Sequence, residues 1–173
     1  SGANIDNLPS GANGFTAEGW FRHDTAGESN GGTFWTKTGW AMQFASATTI
    51  QVFIDYDNTD IDETFSWTPD GRFHHWMLTY NENGADRFAR VYRDGILVHT
   101  TAASVGNYVA DAASTFYIGN NAGATATMDG AVGWQALSDN VRASATFVPN
   151  SRVAPRANDA NMHLRYAMTD GAG

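Results

Sequence analysis

The chain has 173 residues, of which 42% are hydrophobic and 13% aromatic, enough apolar surface for one domain with a sizeable core. Its ten Lys and Arg residues are scattered among 18 Asp and Glu residues, and the net charge of −8 argues against binding to nucleic acid or to an anionic membrane surface. There is no cysteine, which excludes disulfides, thiolate chemistry and cysteine-ligated zinc.

Alternation of apolar and polar residues predicts β-strands along most of the chain. In order they are FTAEGWFR (15–22), GWAMQFAS (39–46), TIQVFIDY (49–56), FHHWMLTY (73–80), STFYIGN (114–120) and MDGAVGWQAL (128–137). The dipeptide Asp94-Gly95 tolerates the positive φ angles of a two-residue turn, so residues 88–93 and 96–101 are predicted to form a hairpin. A last strand is predicted over 162–167, and one helical turn at ALSDNVRA (136–143), capped by Ser138.

Short strands separated by turn-rich stretches predict an all-β fold, a β-sandwich or jelly roll of two antiparallel sheets. We expect a single domain over residues 1–173, with 144–173 as a proline-punctuated closing segment that ends in a strand. Because the chain begins at Ser1 rather than Met, we expect it to be a processed product or a domain of a longer polypeptide.

His74 and His75 are adjacent on a predicted strand. Neighbouring strand residues point to opposite faces, so the two imidazoles cannot act together on one substrate or metal. We interpret both as structural residues, one on the core side and the other on the opposite surface.

Five motifs in order resemble the concanavalin A-like, laminin G-type jelly-roll family. They are FTAEGWFR, GRFHHWMLTYN (71–81), VYRDGILV (91–98), FYIGN (116–120) and MDGAVGWQALS (128–138), spanning residues 15 to 143 with the turn that follows. Phe73 stands where this family usually has Trp. FVPNSRVAPRANDANMHLRY (147–166) is similar to a segment that follows such domains in phage structural proteins. The resemblance implies two antiparallel sheets packed face to face, with binding on end loops or on the concave face.

The glutamates argue against catalysis. Glucanases that share this fold carry Glu-x-Asp-x-Glu on one strand, which aims alternate carboxylates at one cleft. The chain has no such pattern among its four glutamates, which are Glu18, Glu28, Glu63 and Glu82. We therefore predict that the protein is not an enzyme.

Two groups of residues are candidate binding sites. Four aspartates in a short segment supply oxygen ligands suited to calcium, namely Asp55, Asp57, Asp60 and Asp62. Their spacing misses the EF-hand pattern, so a solvated acidic loop is the other interpretation. Trp35 and Trp67 lie near predicted loops and are the best candidates for stacking on a ligand, although core packing is the default for tryptophan.

We predict a non-enzymatic adhesion or structural module of a phage virion, as a capsid decoration or fibre domain. Its partners would be other virion or surface proteins and cell-surface glycans, in the virion or outside the cell. We expect no cofactor, with calcium left open. The alternative is a carbohydrate-binding module of a secreted or surface protein, with or without calcium.

Overall fold

A computed structural model describes residues 14–81, 87–109, 114–152 and 162–166. These residues form antiparallel strands, one 3-10 turn at Glu28–Asn30 and no α-helix. No helix among them has the length and hydrophobicity needed to span a membrane. The strands are β1 (Phe15–His23), β2 (Thr33–Lys37), β3 (Trp40–Ser46), β4 (Thr49–Ile54), β5 (Ile61–Ser66), β6 (Phe73–Asn81), β7 (Phe88–Arg93), β8 (Ile96–Thr100), β9 (Tyr117–Ile118), β10 (Gly130–Ser138) and β11 (Met162–Tyr166).

The strands form two antiparallel sheets, which confirms the predicted all-β sandwich. One sheet has six strands in the order β11-β10-β1-β6-β7-β8, and the other has five in the order β5-β4-β3-β2-β9. β1 lies in the middle of the larger sheet, where Thr16 pairs with Ser138 of β10 and with Thr79 of β6. The larger sheet is therefore held together by strands that are distant in sequence.

The core between the sheets is built by strand alternation. Every second residue of β3 and β4 points inward, so that Met42 lies opposite Val52 and both are fully buried. Aromatic rings fill the remaining space. Phe15 lies 4.5 Å from Trp40, and Trp76 lies 5.0 Å from Trp67, measured between ring centroids.

The Asp94-Gly95 hairpin forms as predicted, joining β7 to β8. Asp94 has φ of 52° and Gly95 has φ of 80°, the left-handed pair that this turn requires. A Cβ atom on Gly95 would lie 1.8 Å from the carbonyl oxygen of Phe147, so the residue must be glycine for packing as well.

Residues 139–152, which we call the covering segment, lie over the outer face of the six-stranded sheet. Phe147 packs there with Met77 and Tyr92 in a small second core. The backbone N–H of Phe147 donates to Gly95, and the Trp134 indole donates to the Ser151 carbonyl. One face of this sheet therefore packs on its partner sheet and the other on its own chain.

Two expectations from the sequence need correction, and a third lies partly outside the described residues. The helical turn at 136–143 is absent, because Ser138 is the last residue of β10 and the chain after it runs as the covering segment. β2 and β5 were not predicted, and both are strands of the smaller sheet. β11 ends at Tyr166, and Ala167 lies outside the described residues, as does most of the predicted closing segment.

Candidate functional site

His74 and His75 point to opposite faces, as predicted, and do not converge. His75 is nevertheless fully buried rather than at the surface. Its ring lies 5.5 Å from that of Trp134 and 5.8 Å from that of Phe147, beneath the covering segment. The predicted surface position was wrong because Phe147, which covers His75, lies about 70 positions later in the chain.

His74 joins two loops at the other face of β6. Its Nδ1 lies 2.5 Å from a carboxylate oxygen of Asp94, and its Nε2 lies 3.0 Å from one of Asp70. Burial acts to raise the pKa of Asp70, but hydrogen bonds from His74 and from the Arg72 backbone outweigh it and leave that pKa below its usual value. The contacts tie the β5–β6 loop to the β7–β8 turn, which is a structural role.

Glu18 is buried in the same outer layer as His75. One of its carboxylate oxygens lies 3.5 Å from Nε2 of His75, and the other lies 4.0 Å from Nε of Arg142. Arg142 also donates to the Ser138 hydroxyl. A carboxylate only 1% exposed beneath the covering segment has no open approach for a substrate, so its place is that of a scaffold residue.

The four aspartates of the acidic segment are not gathered around one point. Asp57 accepts hydrogen bonds from the Asn107 backbone and amide, Asp60 accepts one from the Tyr56 backbone, and Asp62 accepts one from Gln51. Among the residues that the structure describes, no group of three or more acidic, histidine or cysteine side chains is arranged to hold a metal ion.

One of these carboxyl groups acts on the pKa of another. Burial, together with the neighbouring charge and hydrogen bond of Asp60, raises the pKa of Asp55. By contrast, hydrogen bonds from Asn107 lower the pKa of Asp57. The segment is a hydrogen-bonded acidic loop that runs into β5, and calcium binding by it stays a prediction.

Trp35 and Trp67 lie inside the sandwich. Trp35 is fully buried on β2 and donates its indole N–H to Gln135 at 2.7 Å. Trp67 is 8% exposed and packs against Phe44 and Trp76. Neither ring offers a face to a ligand in this conformation, a correction to their predicted stacking role. Trp35 was misjudged because β2 itself was not recognised as a strand.

The outer face of the five-stranded sheet is open in the part of the chain that the structure describes. Cross-strand partners share a face, so the register sets one row of side chains across five strands. That row consists of Tyr117, Thr36, Ala41, Phe53 and Asp62. Half-buried aromatic rings on β9 and β4 therefore flank two small residues on β2 and β3.

A ladder of polar side chains runs beside this row. The Gln43 amide donates to Gln51 at 3.0 Å, and Gln51 in turn donates to Asp62. Thr64, exposed, pairs with Gln51 on the next strand. Together the two rows form what we call the open face, which combines two apolar rings with amide and hydroxyl groups.

A cavity of about 300 Å³ lies at the β9 end of the open face. Thr36 and Tyr117 belong both to the cavity wall and to the row of the open face that runs from Tyr117 to Asp62. The other lining residues are Lys37, Thr38, Thr115, Asn121, Ala122 and Gly123. Threonine, tyrosine and asparagine residues line this wall beside an apolar surface of similar extent, so it can offer a ligand both hydrogen-bonding groups and apolar contact.

The family described as the concanavalin A-like lectin/glucanases superfamily matches residues 1–146 of the chain. The chain belongs to this superfamily. A comparison with curated proteins finds no match.

The pairing of strands in this concanavalin A-like sandwich explains why we did not predict the open face from the sequence. Phe53 and Gln51 lie on β4 and Tyr117 lies on β9, with β3 and β2 between them, so only strand pairing places the three residues on one face. The signal that the sequence does contain is alternation in IDETFS (61–66), which identifies β5 and thereby extends the sheet. The last six residues of the covering segment, and β11, lie beyond the residues that the family matches.

Proposed function

We propose that this concanavalin A-like domain is a non-catalytic recognition and structural module of a larger assembly, a phage virion in which it serves as a capsid decoration or fibre domain. The asymmetry of its two outer faces carries the proposal. One is covered by residues 139–152, and the other is open over five strands in the part of the chain that the structure describes. A sheet face left open in this way is suited to binding a partner.

The positions of the carboxylates support a role without catalysis. Glycoside hydrolysis requires two carboxyl groups that flank one bond, about 5 to 9.5 Å apart. Glu18 is buried beneath the covering segment, whereas Glu63 accepts a hydrogen bond from the Ala102 backbone at the opposite edge of the sandwich. Asp62 on the open face is engaged by Gln51.

The virion setting rests on the similarity of the closing segment to segments in phage structural proteins. Its test is mass spectrometry and immunogold electron microscopy of phage particles purified from the source organism, with antibodies raised against the chain. We expect gold label on the capsid or fibres at a regular copy number. Particles that infect normally and contain none of the chain would contradict the virion setting.

Carbohydrate binding is the second candidate, and the open face favours it specifically. Flat rings at Phe53 and Tyr117 present apolar surface, while Gln43 and Gln51 supply donors and acceptors for hydroxyl groups. A glycan array read with and without EDTA tests it. We expect EDTA-resistant binding where the rings and amides of the open face make the contacts, and EDTA-sensitive binding where the acidic segment holds calcium.

Substitutions on the open face test whether a bound glycan contacts it. Phe53→Ala and Tyr117→Ala should each weaken binding about five- to thirtyfold, because each removes a stacking surface worth about 1 to 2 kcal/mol. Ser66→Ala, on an exposed position at the far end of β5, is the control and should bind as the parent chain does. Silence across a broad array would leave protein contacts as the mode of recognition.

A further inference from the structure

The cavity and the open face meet at the β9 edge of the smaller sheet. The row from Tyr117 to Asp62 is made of cross-strand partners, so it crosses the strands nearly at right angles with one residue on each. Three strand spacings of about 4.8 Å each separate β9 from β4, which places Tyr117 and Phe53 roughly 14 Å apart along the row. A ligand that touches the cavity and both rings must therefore extend from β9 across β2 and β3 to β4.

Small side chains lie between two aromatic rings in the part of the row that we call the trough, which consists of Tyr117, Thr36, Ala41 and Phe53. Thr36 is half-buried and Ala41 is 9% exposed, and both are smaller than the rings that flank them. The linked amides of Gln43 and Gln51 lie beside the trough, because each is two residues from a trough position on its own strand. The trough therefore has an apolar ring at each end, a low floor and amide groups along one side.

The cavity at the β9 end has a wall that is held in place before any ligand binds. Residues 121–123 line it, and Asn121 is fixed by Thr125 through two hydrogen bonds. The Asn121 side-chain carbonyl accepts the backbone N–H of Thr125 at 3.0 Å, and its amide donates to the Thr125 hydroxyl at 3.2 Å. A wall that needs little ordering keeps the cost of binding low. The volume of about 300 Å³ is at the lower end of the range for ligand sites, so the cavity has room for one sugar-sized ring rather than a branched group.

The trough presents side chains rather than backbone groups to a ligand. β2, β3 and β4 each pair with a strand on both edges, so their backbone N–H and C=O groups are used within the sheet. A peptide that binds by strand addition needs a free strand edge, which the middle of the trough does not provide. A sugar suits these side chains better, because its C–H face packs on an aromatic ring while its hydroxyl groups bond to threonine and glutamine.

Charge disfavours an acidic polysaccharide. Asp62 on β5 ends the row beyond Phe53, and the whole chain has a net charge of −8. A polymer with a carboxylate or sulfate on each unit would bring like charge towards this end of the face. The expected ligand is therefore uncharged.

We propose that the open face binds a single uncharged, unbranched glycan chain that crosses the strands, with its terminal sugar in the cavity. A six-membered sugar in an extended chain occupies about one strand spacing, so about four sugars fill the length from the cavity to Phe53. Because a sheet twists by roughly 20 to 25° per strand, one soluble chain can follow the trough, whereas the flat surface of a crystalline polysaccharide cannot. The inference deepens the carbohydrate-binding candidate, on which it rests, by naming the length, direction and charge of the ligand.

Titration calorimetry with linear oligosaccharides tests the length of the site. The probes are β-1,4-linked glucose, β-1,4-linked N-acetylglucosamine and α-1,4-linked glucose, each as chains of one to six units. We expect at least one series to bind, with an affinity that rises up to about four units and then stays constant, because further sugars lie past Phe53. An affinity that is equal for one and four units, or that still rises at six, overturns the proposal, as does a lack of binding in all three series.

Two substitutions separate the ends of the trough. Phe53→Ala should weaken binding of the four-unit chain about five- to thirtyfold and leave binding of the two-unit chain unchanged, since the shorter chain ends before it reaches β4. Thr115→Val removes a cavity hydroxyl and should weaken binding of every length by one factor, about two- to tenfold. Ser66→Ala is again the control, and circular dichroism checks that each variant is folded. An equal loss for both lengths in Phe53→Ala would contradict the crossing direction.

Failure of this inference is distinguishable from failure of the proposed function. Glycan binding that is independent of chain length would leave carbohydrate recognition in place and remove the crossing geometry. Binding to crystalline cellulose as tight as to the four-unit chain of β-1,4-linked glucose would contradict a single-chain site. A lack of binding to any glycan would remove both the inference and the carbohydrate candidate, whereas the virion setting is decided by the presence of the chain in phage particles.

Discussion

His23 is a histidine buried entirely among aromatic rings. Its ring centroid lies 4.2 Å from that of Phe34 and 5.2 Å from that of Phe44. Among the described residues neither ring nitrogen has a hydrogen-bond partner. Burial, with a smaller contribution from the charge of His74, lowers the pKa of His23 from 6.5 to about 3. The core therefore accepts the neutral imidazole and rejects the cation.

This makes the stability of the protein dependent on pH. In the unfolded chain His23 binds a proton below about pH 6.5, whereas in the folded chain it does so only near pH 3. The unfolded state therefore gains the proton first as pH falls, and stability is lost between these two values. At about pH 4.5 the loss should be roughly 2 to 3 kcal/mol, at about 1.4 kcal/mol per pH unit.

Urea unfolding at pH 7 and at about pH 4.5 measures this loss, and His23→Leu should remove most of it. Leucine matches the apolar surroundings and cannot be protonated. His99→Asn, on a partly exposed histidine of β8, serves as the control and should keep the pH dependence of the parent. An equal loss in the parent chain and in His23→Leu would assign the acid sensitivity to other groups.

Alternation predicted the opposite orientations of His74 and His75, because that property belongs to the strand itself. It could not predict that His75 is buried, since the covering segment supplies Phe147 from far along the chain. The predicted ligand-stacking role of Trp35 was wrong for a related reason. Its strand, β2, reads Thr-Phe-Trp-Thr-Lys, in which two adjacent rings are both buried, with a register shift against β3 beside them. Period-two reasoning does not detect such a strand.

At the scale of elements, β5 has an edge position that explains why it was taken for a loop. Its exposed residues are polar and include Asp62 and Thr64, and the segment before it is rich in aspartate. Only Ile61 and Phe65 face the core, and few apolar positions mean a weak signal. The Asp94-Gly95 hairpin, by contrast, was predictable because its turn is specified by two adjacent residues.

The covering segment is an element without regular secondary structure, and Phe147 is its anchor. The ring packs on Met77 and lies 5.6 Å from the ring of Tyr92. Because Phe147 is partly rather than fully buried, Phe147→Ala should cost about 2 to 3 kcal/mol, below the range for a fully buried phenylalanine.

Denaturant unfolding of Phe147→Ala beside Val148→Ala measures the contribution of the anchor. Val148 is the next residue and is 90% exposed, so its change to alanine should alter stability by less than about 0.5 kcal/mol. Similar small losses in both variants would mean that the segment lies on the sheet without stabilising it.

At the scale of the whole molecule, the larger sheet depends on its C-terminal half. β1 lies between β6 and β10, and β10 in turn is bordered by β11. The covering segment packs on His75, Met77 and Tyr92 at the outer face of β6 and β7, and its removal would expose these three side chains to water. The folding unit should therefore include the covering segment, although the family matches only residues 1–146.

Two truncated chains test this. A chain ending at Arg152 keeps both sheets except β11 and keeps the covering segment, so it should unfold cooperatively with reduced stability, having lost the Leu164 contact with the core. A chain ending at Ser138 keeps β10 and loses the cover. It should bind the dye ANS and lose its near-ultraviolet circular dichroism, because a sheet face that includes buried rings becomes exposed to water. A native spectrum from the shorter chain would show that the sandwich folds without residues 139–152, and the second core would then be an addition to a self-sufficient domain.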